Sequence, residues 1–363
     1  MQKKLIIFIP SIEGGGVEKN LFIISNYLID KIKNISVITI SNKFKNKFDS
    51  KIKFISPKAD FWNSIGRGKK FFTGLFILFL EILKNRNVIV FSFQGNVYCT
   101  LLCKLLGVKV IVRSNSAPEG WSNNRFRYLI FKNVLRSADK VIVNSLDFKK
   151  KFKTKFKIHA ECIYNPLNKN EIIKKSKIKS KIKFDKKKLK LINVGRLTDQ
   201  KDQLTILKAV NRIKDKIKFD LLIIGSGVKK KQLIKYIQEN SLSRHVKLLN
   251  FQNNPYNLIR SSDIFILSSL YEGLPNVLLE SQVLKRFIIS SNCPTGPREI
   301  LLNGKAGFLF NVGDYIKLSK FILQYSKNKK VLSKKILVGY KSLNRFDYKQ
   351  NLEKYFNIIK SLT

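Results

Sequence analysis

Three short segments combine residue types suited to a phosphorylated, hydroxyl-rich ligand. The first is Leu270-Tyr271-Glu272-Gly273-Leu274-Pro275-Asn276-Val277-Leu278-Leu279-Glu280. It follows an apolar, strand-like run, Ile264–Leu267, and its glycine and proline start a helix. Glu272 would lie in the loop above the sheet edge. Glu280, eight residues on and early in the helix, would point at the same cleft. Carboxylates accept hydrogen bonds from sugar and ribose hydroxyls, and N–H groups around Asn276 to Leu278 would face phosphate oxygens.

The second segment is Gly195-Arg196-Leu197 with Lys201, directly after the strand-like run Leu189–Val194. Arginine is the minority cation, 13 of 71 Lys and Arg. At a strand end Arg196 and Lys201 can clamp a diphosphate, Arg through paired N–H bonds and Lys as a point charge. The third is Gly14-Gly15-Gly16-Val17-Glu18, also between a strand and a helix. Consecutive glycines let backbone approach a ligand closely, and a helix N-terminus favours anions. It is neither a Walker A loop nor a complete dinucleotide fingerprint. Gly225-Ser226-Gly227 occupies the same kind of strand end. The plainer alternatives are strand-to-helix turns, a helix start with two solvated acids, and surface charge.

Positioning such groups requires strands alternating with helices. Strands are expected at Leu5–Ile9, Ser36–Ile40, Val88–Phe91, Val108–Val112 and Val141–Asn144. A second series comprises Leu189–Val194, Asp220–Ile224, Val246–Phe251, Ile264–Leu267, Phe287–Ser290 and Gly307–Phe310. Most are continuous apolar runs, as in parallel sheets covered on both faces. Helical patterns such as Val17–Leu28, Gln203–Ile213 and Lys230–Gln238 lie between them. The architecture expected is α/β, with two parallel-sheet domains. Tyr164-Asn165-Pro166-Leu167 is a turn signal. The expected division is residues 1–166, a Lys-rich linker over 167–187, a second domain over 188–345, and a terminal helix over 346–363 packing back toward the first domain.

Length and charge bound the rest. The chain has 363 residues, with 71 Lys and Arg against 24 Asp and Glu and a formal charge of +47. Only two histidines, His159 and His245, and four cysteines are present, so multi-histidine and four-cysteine metal sites are nearly excluded. Both histidines are read as structural. The cysteines form no C-x-x-C pair, which fits reduced thiols and a cytoplasmic protein. The start of the chain reads as a strand, not a signal peptide. Phe71–Leu83 is too short to span a bilayer and contains Glu81. It is either a buried core helix or one dipping into a membrane interface.

The segments above, taken in order, resemble the retaining glycosyltransferases of family 4, of the bacterial surface-polysaccharide type. GGGVEKN is similar to that family's N-terminal glycine loop, NVGRLTDQKD to its Gly-Arg…Lys motif, and IIGSGVKKKQL to its glycine–helix segment. SSDIFILSSLYEGLPNVLLES resembles its donor-site block, and CPTGPREIL the loop that follows. YNPL resembles the junction between its domains. The resemblance is dense from about Leu189 to Val312 and sparse before. It implies the GT-B fold, two Rossmann-like domains facing across a cleft.

It also implies that Arg196 and Lys201 hold the diphosphate, that Glu272 faces the donor sugar, and that Glu280 binds ribose. Gly15, Gly16, Gly195, Gly225, Gly227, Gly273, Leu274, Pro275, Asn276 and Val277 would complete the donor site, with Glu18 on the acceptor side. The implied reaction moves a hexose or N-acetylhexosamine, from a UDP donor by default, to a lipid-linked (polyprenyl-diphosphate) glycan acceptor. No cofactor or metal is implied, and the chain has no D-x-D pair of the kind that binds Mg²⁺ or Mn²⁺. Many family members carry a histidine near the reacting sugar. Here the corresponding stretch reads Ile111-Val112-Arg113-Ser114-Asn115, and Arg113 and Asn115 are expected to line the acceptor side instead.

Other readings stay open. A nucleotide-sugar epimerase of the same architecture would need no acceptor. A basic nucleic-acid- or membrane-binding protein without catalysis would account for the charge, but no nucleic-acid motif accompanies it. The expected partners are the nucleotide-sugar, the glycan acceptor and an anionic membrane surface, at the inner face of the cell membrane.

Overall fold

A computed structural model describes residues 3–12, 16–115 and 125–363. The chain divides into two compact units, Met1–Pro166 with Tyr348–Thr363, and Leu167–Asp347. The first unit contains strands β1 (Lys4–Phe8), β2 (Ile35–Ile38), β3 (Lys53–Ile55), β4 (Val88–Ser92), β5 (Lys109–Ser114), β6 (Lys140–Val143) and β7 (Glu161–Cys162). They form one sheet in the order β3-β2-β1-β4-β5-β6-β7, with every pairing parallel. The second unit contains β8 (Leu189–Val194), β9 (Phe219–Ile224), β10 (Val246–Leu249), β11 (Ile264–Leu267), β12 (Phe287–Ser291) and β13 (Phe308–Phe310). Its sheet runs β10-β9-β8-β11-β12-β13 and is also all parallel.

The continuous apolar runs are explained by burial on both faces. In β1, Leu5 and Ile7 enter one core, shared with the Gly16–Leu28 and Tyr348–Lys360 helices. Ile6 and Phe8 enter a second core on the opposite face. The terminal helix contributes Leu352, Tyr355, Ile358 and Ile359 to the first of these cores. Each sheet reverses its strand order once, between β1 and β4 in the first unit and between β8 and β11 in the second. Such switch points open a crevice at the carboxyl ends of the strands.

Several expectations are corrected. The stretch 167–187 is not a free linker. Residues Lys169–Ser176 form a helix packed on Tyr256–Ser261, and the whole stretch falls in the second unit. The second unit also runs on to Asp347, and the isolated bridge Leu167–Asp347 pairs its two ends. Strands β3 and β7 were not expected, being only three and two residues long. Strand β5 extends to Ser114, two residues beyond the expected end, with consequences for Arg113.

The Phe71–Leu83 run lies in the helix Arg67–Lys84. One face, including Leu78 and Ile82, is fully buried, while Phe72 and Phe76 on another face are exposed. It is therefore not a wholly buried core helix. Glu81 is buried and ion-paired to Lys4 at 3.3 Å and Lys84 at 2.8 Å. These cations hold its carboxyl below the ordinary range despite burial, the Lys84 hydrogen bond contributing most.

Candidate active site

The second unit assembles most of the expected residues at its switch point. After β8 the chain passes Gly195 and Arg196 and makes a short 3₁₀ turn, Asp199–Lys201. Asp202 then adopts φ 42° and caps the Gln203–Asn211 helix by accepting hydrogen bonds from the Thr205 N–H and hydroxyl. Burial pushes the Asp202 carboxyl up, against the pull of those hydrogen bonds. The cap fixes where the turn ends and therefore where Lys201 stands.

The loop after β11 is stitched to this turn. Ser268 Oγ donates to the Lys201 carbonyl at 2.8 Å, Leu270 N–H to the Gln200 carbonyl at 2.8 Å, and Gln200 Nε2 to the Tyr271 carbonyl at 3.0 Å. Beneath them Asn193 Nδ2 donates to the Ile266 carbonyl at 2.8 Å. These bonds bring two of the three residues expected to be catalytic (Arg196, Lys201 and Glu272) into direct contact, Lys201 Nζ to Glu272 Oε1 at 2.5 Å. The same carboxylate oxygen accepts from Ser269 Oγ at 2.6 Å. Both side chains are largely buried, 17% and 8% exposed, so the pair is little screened by solvent.

The glycines have a packing explanation. A Cβ on Gly225 would lie 1.9 Å from the Gly195 carbonyl oxygen, and one on Gly227 2.3 Å from that of Leu197. Leu197 N–H in turn donates to the Ser226 carbonyl at 2.9 Å. Gly225 and Gly227 thus let the loops after β8 and β9 close on each other, a role that needs no ligand. Gly195 makes only ordinary contacts with the Lys201 stem.

The helix Asn276–Val283 follows the Glu272 loop, with Pro275 as a cap that supplies no side-chain bond. The N–H groups of a first helical turn have no acceptors within their own helix and carry the positive end of the helix dipole. Leu274 and Pro275 are buried, and Asn276 and Val277 are half-buried. Glu280 is buried one turn in and accepts from Tyr256 Oη at 3.3 Å. Arg196 is exposed at the strand end, and its carbonyl accepts from Gln203 Nε2 at 3.0 Å.

A third loop closes the site. Thr295 Oγ1 donates to the Glu272 carbonyl at 2.5 Å, and Gly296, at φ 82°, passes so close that a Cβ would meet the Gly273 carbonyl oxygen at 2.2 Å. Cys293 lies buried in this loop. Burial, and next the Glu272 charge, push its thiol up to about 12. Tyr256, Ser269, Thr295, Gly296 and Asp202 were not singled out from the sequence. Quoted motifs contain four of them, Asp202 in NVGRLTDQKD, Ser269 in the donor-site block, and Thr295 and Gly296 in CPTGP, while nothing signalled Tyr256.

Gly15 lies outside the described residues. Gly16 opens the helix Gly16–Leu28, and Glu18 is buried in its first turn. Arg113 does not line an acceptor surface. It belongs to β5, where period-two alternation places it beside Ile111 on the face covered by the terminal helix. It is fully buried. Its Nε donates to Tyr355 Oη at 2.9 Å, Nη2 to Asn165 Oδ1 at 2.8 Å, and Nη1 to Asn115 Oδ1. Its guanidinium lies 5.5 Å from the Phe93 ring centroid. Asn115 is half-buried and committed to this network, donating to the Phe93 carbonyl at 3.0 Å. His245 stacks on Phe219 at 5.0 Å, next to β10, while His159 is exposed.

A two-unit Rossmann-like fold with a cation–carboxylate pair at a strand-end switch point defines a class. The chain has the GT-B fold and is similar to glycosyltransferases, among them enzymes of bacterial polysaccharide synthesis. Its residues 174–341 match the model of the family "Glycosyl transferases group 1". An uncharacterized glycosyltransferase of Methanocaldococcus jannaschii is 35% identical over 180 residues, 48% of this chain and 44% of that protein. The N-acetylgalactosamine-N,N'-diacetylbacillosaminyl-diphospho-undecaprenol 4-alpha-N-acetylgalactosaminyltransferase of Campylobacter jejuni is 26% identical over 372 residues, 97% of this chain and 99% of that one. Among solved structures, Anabaena HepE in complex with UDP and glucose matches with a TM-score of 0.81 at 15% identity, covering 99% of this chain and all of that one.

Proposed function

We propose that the chain transfers a hexose or N-acetylhexosamine from a UDP donor, with retention of configuration, to a glycan acceptor on a polyprenyl diphosphate at an anionic membrane surface. The observation that carries this reading is the Lys201–Glu272 pair, at a switch point and one loop ahead of the helix that bears Glu280. In the proposed step the bond from sugar C1 to the diphosphate oxygen breaks through an oxocarbenium-like state. The acceptor oxygen bonds to C1 on the same face, and its proton passes to the departing diphosphate. Lys201 and Arg196 stabilise the charge that grows on that diphosphate, the role a divalent metal fills elsewhere, so no metal is required. Glu272 faces the sugar hydroxyls and Glu280 the ribose. The lipid-borne acceptor is supported by the Campylobacter relative, which is named for a diphospho-undecaprenol substrate.

The test is transfer from radiolabelled UDP-sugars to an undecaprenyl-diphosphate-linked glycan, with and without EDTA, and with the product anomer read by NMR. Retention and EDTA resistance are expected. UDP at 100 times its Kd should also stabilise the fold by about 2.7 kcal/mol. An inverted product, abolition by EDTA, or conversion of the UDP-sugar without acceptor would each overturn the corresponding part.

A further inference from the structure

The Glu272 carboxylate uses its two oxygens unequally. An ionised carboxylate offers about four lone-pair sites over both oxygens. Lys201 Nζ, at 2.5 Å, and Ser269 Oγ, at 2.6 Å, both donate to Oε1. Among the described residues no hydrogen bond or ion pair ends on Oε2. Nor is Oε2 one of the buried side-chain oxygens left without a partner, so it opens toward solvent. Oε2 is therefore the oxygen left for a ligand hydroxyl.

The two donors on Oε1 differ in how firmly they are held. Lys201 carries its charge on a flexible four-carbon stem with three rotatable donors. The proposed step asks that charge for the diphosphate. Ser269 is fully buried, and its single hydroxyl proton is committed to Glu272. The Ser269 carbonyl accepts from Ser291 Oγ at 2.7 Å, and Ser291, also fully buried, is the last residue of β12. The hydroxyl thus fastens Glu272 to the sheet without help from Lys201.

We infer that Ser269 is a positioning residue: it holds Glu272 by Oε1, so that Oε2 meets one hydroxyl of the donor sugar, and it keeps that aim when Lys201 serves the diphosphate. The role rests on the reading above, in which Glu272 faces the sugar. It has a consequence that a plain loop stitch lacks. Ser268, whose hydroxyl holds the Lys201 carbonyl, supports the turn as a whole. Ser269 acts on the side chain that meets the sugar, so its loss should be felt by the sugar and not by the nucleotide.

The experiment compares the full wild-type chain with Ser269→Ala in two readouts. Calorimetry gives the affinities for UDP and for the UDP-sugar. Transfer assays give kcat/KM for the UDP-sugar and for its monodeoxy analogues, each lacking one sugar hydroxyl. In Ser269→Ala the UDP affinity should stay within about twofold of wild type, while UDP-sugar affinity and kcat/KM each fall about tenfold, the scale of one hydrogen bond to a charged group. One monodeoxy donor should lose about tenfold in wild type and less than about threefold in Ser269→Ala, because the hydroxyl it lacks is the one Glu272 no longer meets.

Unchanged kcat/KM, equal losses of UDP and UDP-sugar affinity, or the same deoxy penalty in both proteins each overturns the proposal. Far-UV circular dichroism reports whether the variant is folded. If the alanine variant is not, Ser269→Cys, which keeps a γ atom but donates weakly, replaces it with the same expectations. The catalytic reading fails separately. Absent transfer in wild type, with a selective loss of UDP-sugar affinity in the variant, removes transfer and supports the positioning role. Transfer in wild type with equal losses of UDP and UDP-sugar affinity in the variant removes positioning alone.

Discussion

Lys201 and Glu272 are 71 positions apart in sequence, yet their side chains meet at 2.5 Å because β8 and β11 are neighbours in the sheet. Breaking a buried ion pair on one side strands the other charge, which costs about 3 kcal/mol or somewhat less where some solvent reaches it. Lys201→Met should therefore lower both stability and turnover, the latter by about 10²–10³-fold through lost leaving-group stabilisation. The double variant Lys201→Met/Glu272→Gln removes the stranded charge. It should recover much of the thermal midpoint and none of the rate. Recovery of rate in the double variant would show that the pair is structural only.

Tyr256 offers a subtler test. Its hydroxyl reaches Glu280 at 3.3 Å, a long hydrogen bond to a buried carboxylate. At that length about 1 kcal/mol is a fair value, or roughly fivefold in an equilibrium. If Glu280 binds the ribose equally in ground and transition states, Tyr256→Phe should raise KM for the nucleotide-sugar about fivefold and leave kcat nearly unchanged. A fall in kcat at constant KM would place Glu280 in the chemical step instead.

These two contacts show what a sequence does and does not reveal. Eleven of the thirteen strands were legible, because parallel strands buried on two faces leave uninterrupted apolar runs such as Leu5–Ile9 and Ile264–Leu267. The acids and Arg196 of the donor loops were legible because they are scarce types at strand ends, and Lys201 because it follows the Gly-Arg step. Their pairing was not, since strand order is a property of the sheet. Tyr256 was invisible, lying in a six-residue helix with no charge pattern of its own. Strand β7 pairs only two residues, too few for any periodicity.

Cys293 ties the donor loops to pH. Its thiol is pushed up to about 12 in the folded chain, by burial first and the Glu272 carboxylate second. An unfolded thiol titrates near 8.5. Between these values the folded state holds a proton that the unfolded state has lost, so the stabilisation is complete below about pH 8.5 and declines as pH rises toward 12. Denaturant unfolding at pH 8 and pH 10 should show a loss that is smaller in Cys293→Ala, which leaves the other titrating groups in place. At pH 8 the folded chain should leave Cys293 unlabelled by a thiol reagent, and unfolding should expose it.

Arg113 is where two added residues of strand reverse a functional reading. With β5 ending at Val112 the guanidinium would stand in a loop and face a substrate. With β5 running to Ser114 it is fully buried and holds Tyr355, Asn165 and Asn115. Removing it leaves buried acceptors unsatisfied, at about 1–3 kcal/mol each, and opens a void beside Phe93. Arg113→Ala should therefore lose at least about 3 kcal/mol in denaturant unfolding, whereas Tyr355→Phe, which deletes one hydroxyl, should lose about 1 kcal/mol. Burial raises the Tyr355 phenol above its ordinary range, with Arg113 opposing the shift, so Arg113→Ala should raise it further. Arg113→Ala with unchanged stability and a raised KM for acceptor alone would return the residue to the substrate side. Loss of stability without a selective acceptor defect is the expected result, because every hydrogen-bond partner recorded for the guanidinium lies within the first unit.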